Sequence, residues 1–199
     1  MSDKQLIISI GREFASGGHE IAAELAKRFS LPLYDYNIIS EIAGENHSDP
    51  KTLERYDEVP RKRGITKTVR GHSSSMAENV AQIQFDFLKN KASSGESFVV
   101  VGRCSEEILK EYEGLIPIFI LADMDVKIKR IAEYTGMTET EAEAFIKKHG
   151  RKRRAYHNYF CKLKWADSRN YDICINSSRL GIIGTTDFLE NYIKTRIAR

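Results

Sequence analysis

The stretch Leu6-Ile7-Ile8-Ser9-Ile10, followed at once by Gly11 and by the small-residue loop from Arg12 to Gly18, most narrows what this chain can become. A short, uninterrupted apolar run rich in β-branched residues reads as a strand buried on both faces, as in parallel sheets. Beyond the loop, Ile21, Leu25 and Phe29, with Ala22 and Ala26, recur at helical spacing. Ser30-Leu31-Pro32 ends that helix, because the residue before a proline is pushed out of the helical region. Strand, small-residue loop and helix in this order can cradle a phosphate. Glycines let consecutive N–H groups turn inward, and the helix start adds partial positive charge.

The rest of the chain repeats the alternation. Leu33-Tyr34 reads as a second strand leading to Asp35. Phe98-Val99-Val100-Val101 reads as a buried strand ending in Gly102-Arg103, with a helix from about Ser105. Ile116 to Leu121 is a further strand, Val126 to Tyr134 a helix, and Ile173-Cys174-Ile175 a last strand before Asn176-Ser177-Ser178. Thr138 with Glu141 has the spacing of a capping box. Met76, Val80, Ile83 and Phe87 mark one face of a long helix, and a final helix is expected from about Thr185 to Ile197. Residues 44–75 are polar, charged and broken by prolines and glycines, so they read as an insertion. Such alternation predicts an α/β fold, a mostly parallel sheet with helices on both faces. Ligands of such sheets bind beyond the carboxyl ends of the strands. Gly11 to Glu20, Asp35, Gly102-Arg103 and Asn176-Ser177 all fall there.

Composition sets the class. With 199 residues, one domain is expected. Lysine and arginine total 31 against 28 aspartates and glutamates, a net charge of +3, too small to argue for nucleic acid as a partner. No apolar run is long enough to span a membrane, and Met1 to Gln5 is polar, unlike a secretory leader. The three cysteines, Cys104, Cys161 and Cys174, form no C-x-x-C pair, and the histidines lack metal-ligand spacing. Neither a disulfide framework nor structural zinc is therefore expected, and a reducing, cytoplasmic setting fits best.

Two segments carry candidate chemistry. Ala15-Ser16-Gly17-Gly18-His19-Glu20 departs from the phosphate-loop pattern G-x-x-x-x-G-K-[ST]. With Gly17 as the last glycine, Gly18 replaces the lysine, His19 or Glu20 the hydroxyl, and Arg12 the first glycine. A plain strand-to-helix turn is the competing reading. Arg12 and His19 favour the cradle, since each brings a cation to it. The second segment is Lys147-Lys148-His149-Gly150-Arg151-Lys152-Arg153-Arg154. As a helix it puts Lys147, Arg151 and Arg154 on one face, a crowding that calls for an anion. A solvated basic helix or a nucleic-acid patch are the alternatives.

Together these residues resemble the cytidylate kinase-like family, a divergent branch of the P-loop nucleoside monophosphate kinases. The resemblance rests on Ile8 through Ile21, Leu33-Tyr34-Asp35, Val99 through Cys104, Trp165-Ala166-Asp167 and Tyr171 through Gly181, colinear over nearly the whole chain. It implies a three-layer core of parallel sheet and helices, an acceptor-binding insertion at about 36–87, and an arginine-bearing lid at about 136–165. It further implies ATP-dependent phosphoryl transfer with Mg²⁺ to a small acceptor such as a nucleoside monophosphate, CMP being the namesake. Arg12, Ser16, Gly17, Gly18, His19 and Glu20 would then hold donor phosphates, and Arg151, Arg153 and Arg154 would stabilise the transferred group. Gly102 and Arg103 match a glycine-arginine pair that contacts the acceptor's phosphate, and Asn176 and Ser177 border the donor base. An arginine at the start of the lid is Arg130 here. Val101 stands where many such kinases carry a carboxylate, and Asp35 is the first choice to replace it near Mg²⁺, ahead of Glu13 and Glu20. A nucleotide-binding protein without kinase activity is the main alternative; a nucleic-acid-binding module is a weaker one.

Overall fold

A computed structural model describes residues 4–35, 68, 69, 72, 73 and 76–198. Most of the expected insertion at about 36–87, including all of residues 36–67, lies outside them.

The first strand, β1 (Ile7–Arg12), is buried along five of its six residues. After the loop comes α1 (Gly18–Phe29), which ends at Ser30 in a left-handed conformation. Next are β2 (Leu33–Tyr34), a two-stranded antiparallel pair of β3 (Thr68–Val69) and β4 (His72–Ser73), and α2 (Met76–Ser93). β5 (Phe98–Val101) leads into the single-turn α3 (Ser105–Ile108), and β6 (Leu115–Leu121) into α4 (Met124–Thr135). α5 (Glu139–Phe160), β7 (Ile173–Asn176) and α6 (Ser177–Ile197) complete the chain. The strands expected at 6–10, 33–34, 98–101, 116–121 and 173–175 are all present.

The main sheet runs β2-β5-β1-β6-β7, every neighbouring pair parallel. Strand residues alternate between two packed faces. Ile8, Ile10, Val99, Val101, Ile118 and Ile120 meet Ile21, Leu25, Leu189 and Ile193 of α1 and α6. Ile7, Phe98 and Val100 point the other way, onto Phe87 and Leu88 of α2 and Leu109 beyond α3. Each such side chain, fully removed from water, contributes about 1.5–3 kcal/mol. The result is a three-layer sandwich with both faces covered, as the uninterrupted apolar strands demand.

Three details differ from expectation. On α2, Val80 and Phe87 are buried but Ile83 is 41% exposed, and Gln84 points inward instead. Ile83 sits about 60° around the helix from Val80, at the edge of the buried stripe, whereas Gln84 is only 40° away. The last helix starts at Ser177, and Gly181 breaks it with φ 67 and ψ −179. Asp123 does occupy the N-cap position of α4, but its side chain is not the cap. It accepts from Asn176 Nδ2 at 2.7 Å and pairs with Arg179. No helix among the described residues is long and apolar enough to cross a membrane.

Candidate phosphate-binding site

The loop between β1 and α1 is braced on every side. Ser177 Oγ donates to Ser16 O at 2.6 Å, Glu13 N donates to Ile120 O at 2.9 Å, and Arg130 Nη1 donates to Ala15 O. Glu13 is bound through Oε2 to Lys127 Nζ at 2.7 Å. These bonds hold a backbone that needs two left-handed residues, Ala15 (φ 62) and Gly17 (φ 79). Gly17 is the N-cap of α1 and makes no side-chain cap. With Gly18, His19 and Glu20 of the first turn it borders a cavity of about 500 Å³.

Gly18 stands where a phosphate loop has its lysine, and the structure shows what takes up the room. A Cβ at position 18 would lie 2.6 Å from Arg12 Cβ and 3.1 Å from Arg12 Cγ. The stem of Arg12 thus occupies the place of the missing side chain, and a larger residue at 18 cannot coexist with it. Arg130 brings a second cation: its Nη1 would be 3.3 Å from a Cβ at Gly17. Arg130 was only a lesser candidate from sequence, because nothing local ties residue 130 to residues 15–17.

Four arginines, Arg12, Arg103, Arg130 and Arg153, border this cavity, as do Ser16, Gly17, Gly18, His19, Glu20 and Asp35. Arg103 is 2% exposed and belongs to a run of three positive-φ residues, Gly102 (φ 73), Arg103 (φ 59) and Cys104 (φ 54). Non-glycine residues pay about 1–2 kcal/mol each for this conformation. The bend turns the chain sharply as it leaves β5 and directs Arg103 under the cradle. Asp35 closes β2, is 8% exposed, and lies 2.5 Å from His19 Nδ1. Mg²⁺ is typically held by one or two carboxylates plus substrate phosphates. Asp35, Glu13 and Glu20 all border the cavity; Asp35 is paired with His19, Glu13 with Lys127, and Glu20 is exposed at the start of α1.

The basic segment lies within α5 and divides between two places. Arg153 borders the main cavity, with its guanidinium 5.3 Å from the Phe14 ring centre. Arg151 and Arg154 do not line that cavity; with Lys147 they border a second one of about 220 Å³ on the other side of Phe14. A helix turns 100° per residue, so 147, 151 and 154 share a face and 153 leaves it. Phe14 is clasped by three residues of α5 at i, i+4 and i+8. Phe145 packs edge-on at 5.6 Å, His149 stacks at 4.7 Å and 23°, and Arg153 completes the set. Burial, with Lys152, Arg153 and Lys148 nearby, lowers the His149 pKa below the usual imidazole value.

Asn176 and Ser177 line neither cavity. Ser177 supports the loop from behind, and Asn176 caps α6 while holding Asp123. Gly102 lies behind the main cavity, on a small void of about 20 Å³ shared with Glu106 and His157. Trp165 and Tyr171 pack on Phe119.

The model of the cytidylate kinase-like family matches residues 7–179, a span containing every residue of both cavities. The chain belongs to this family. Among solved structures, a protein from Eubacterium ventriosum ATCC 27560 of uncharacterised function is 38% identical, with a TM-score of 0.76 over 96% of this chain and 99% of that one. Shikimate kinase from Bacteroides thetaiotaomicron is 13% identical (TM-score 0.56, 95% and 98% covered). Shikimate kinase from Acinetobacter baumannii, solved in complex with shikimate, is 10% identical (TM-score 0.54, 97% and 95% covered). At such identities the shikimate kinases show the shared P-loop kinase fold alone. Among curated proteins, none matches. This member of the cytidylate kinase-like family thus keeps the kinase sheet, with the Arg12 stem packed beside Gly18 where the phosphate-loop pattern has lysine.

Proposed function

We propose that this protein transfers a phosphoryl group from ATP, with Mg²⁺, to a small anionic acceptor, a nucleoside monophosphate such as CMP being the first candidate. One observation carries the reading: the glycine loop, Asp35 and four arginines converge on one cavity. Phosphoryl transfer needs little covalent help from the protein. It needs the donor's phosphates held in line with the acceptor and the spreading charge stabilised by cations. In this reading the loop N–H groups of residues 16–20, with Arg12 and Arg130, hold the donor phosphates. Arg103 holds the acceptor's anionic group, and Arg153, carried by the lid at about 136–165, stabilises the group in flight. Asp35 supplies a carboxylate oxygen near Mg²⁺. Arg151 and Arg154 belong to this scheme only if the lid turns further on closing.

The test is phosphotransfer from ATP to a panel of monophosphates, comparing wild type with Arg103→Ala. Loss of one positioned cation at the reacting group is expected to lower kcat/KM by about 100-fold. Full activity in the variant removes Arg103 from that role. Binding without turnover is the second reading, favoured by Gly18 at the lysine position and by Val101 in place of a strand carboxylate. Calorimetry showing tight, Mg²⁺-independent nucleotide binding with no product on any acceptor would establish it.

A further inference from the structure

We propose that Glu106, His157 and Cys161 bind one borderline-soft divalent cation, Zn²⁺ by its donor chemistry, behind the cavity where the end of α5 meets α3. The three side chains come from two distant parts of the chain, yet their ligand atoms all lie within 4.8 Å of one another. Glu106 stands in the first turn of α3. His157 and Cys161 are four residues apart, on one face at the end of α5. The His157 and Glu106 side chains are 7% and 4% exposed, with Nε2 and Oε1 2.5 Å apart.

The surroundings suit an ion. The void of about 20 Å³ beside Glu106 and His157 is large enough for one water, or for an ion with one open position. His157 Nδ1 is buried and meets no nitrogen or oxygen partner, so the ring gives up no such bond when it tilts. Zinc bonds of about 2.0–2.3 Å set tetrahedral donors roughly 3.3–3.8 Å apart. The Glu106–His157 contact therefore opens by about 1 Å as the ion replaces the shared proton. Cys104, which packs in the same cluster as Cys161, Phe85 and Tyr156, brings a further thiol to the edge of the site.

The donor mix selects the metal. Calcium and magnesium take oxygen ligands, so one imidazole and one thiolate argue against both. Imidazole, thiolate and carboxylate together are a zinc set, with the fourth place open to the void. Charge sets a condition. Arg12, Arg103 and Arg153 border the void and Cys161 does not, so a dication beside it needs two anionic donors to cancel its charge, Glu106 and the Cys161 thiolate. Only Glu106 arrives through the fold; Cys161 stands one helical turn beyond His157, and that single pair is too little for the sequence to signal a site. The proposal does not depend on the phosphoryl-transfer reading.

The experiment uses the full-length, tag-free chain, stripped with chelator and titrated with Zn²⁺ alone. Metal retained after gel filtration is measured by mass spectrometry. One equivalent per chain is expected, with affinity lowered about tenfold or more in Cys161→Ala and His157→Gln and unchanged in Cys174→Ser. Co²⁺ loading of the wild type is expected to give tetrahedral d–d bands and a thiolate-to-cobalt charge-transfer band, a readout that stands even if the variants fail to fold. Three results each overturn the proposal: no retained zinc, equal retention by wild type and Cys161→Ala, or a cobalt spectrum without the thiolate band.

Discussion

At the scale of single residues, Arg12 and Gly18 are one device in two places. The absent lysine shows in the sequence as a defect in a phosphate loop; the structure shows an exchange, because the Arg12 stem fills the space a side chain at 18 would need. Restoring the motif is therefore expected to harm the protein. Gly18→Lys alone overpacks the loop, costs about 1–3 kcal/mol in a urea unfolding curve, and weakens nucleotide binding by calorimetry. Adding Arg12→Gly to that variant recovers most of both losses. Gly17→Ala is expected to cost about 1–2 kcal/mol from its left-handed backbone; the Ile182 Cδ1 that its Cβ would meet at 2.1 Å is the end of a side chain that can swing away. Reading outward from the sequence, Ser16, Gly17, Gly18, Asp35 and Arg103 were all legible as neighbours around one cavity, because each ends or follows a strand. Arg130 was barely so, since its contact with Ala15 spans more than a hundred residues. Asn176 and Ser177 were legible by position, but their direction was not: Ser177 bonds the loop from behind, Asn176 caps α6 and holds Asp123, and neither lines the cavity.

At the scale of elements, α5 borders two cavities with two of its faces. Its start is set locally by the capping box of Thr138 and Glu141, which the sequence announced and the structure shows. Its basic face was equally legible, since spacing alone groups Lys147, Arg151 and Arg154. The clasp on Phe14 was not, because no local pattern says which loop the stripe Phe145, His149 and Arg153 will meet. This division predicts unequal arginines. Arg153→Ala is expected to lower kcat/KM by about 100-fold, and Arg151→Ala by less than about tenfold, in the same phosphotransfer assay. The His149 stack is also expected to respond to pH. Its folded pKa lies below the ordinary 6.5, so the unfolded or undocked ring takes up a proton first. The stabilisation is then complete above about 6.5 and is lost as pH falls through the lowered folded value. The groups facing the ring are Phe14 and, on its own helix, Phe145, Lys148, Lys152 and Arg153; none can accept the added proton's charge. Lower hydrogen-exchange protection factors along α5 on acidification are expected, after correction for the slower intrinsic exchange in acid, and His149→Phe abolishes the change.

At the scale of the whole molecule, stability rests on the two apolar layers of the parallel sheet. Leu25 is fully buried between β-strands and α6, so Leu25→Ala is expected to cost about 2–5 kcal/mol by urea unfolding. The layers were readable because both-face burial leaves continuous runs such as Phe98 to Val101. The order β2-β5-β1-β6-β7 was not, because in a parallel sheet any apolar strand packs acceptably beside any other. The early start of α6 was hidden by Gly181, whose break separates Ser177 to Leu180 from the periodic part of the helix. The chain also contains one tryptophan, Trp165, and it stands edge-on to Phe119 of β6 with the Arg154 guanidinium 5.4 Å from its ring. All indole fluorescence from this protein therefore arises at a single point, the seam between the basic helix and the sheet. Any closing of α5 over a bound nucleotide has to pass through that seam, so the native chain carries its own optical gauge of the motion, with no label to attach.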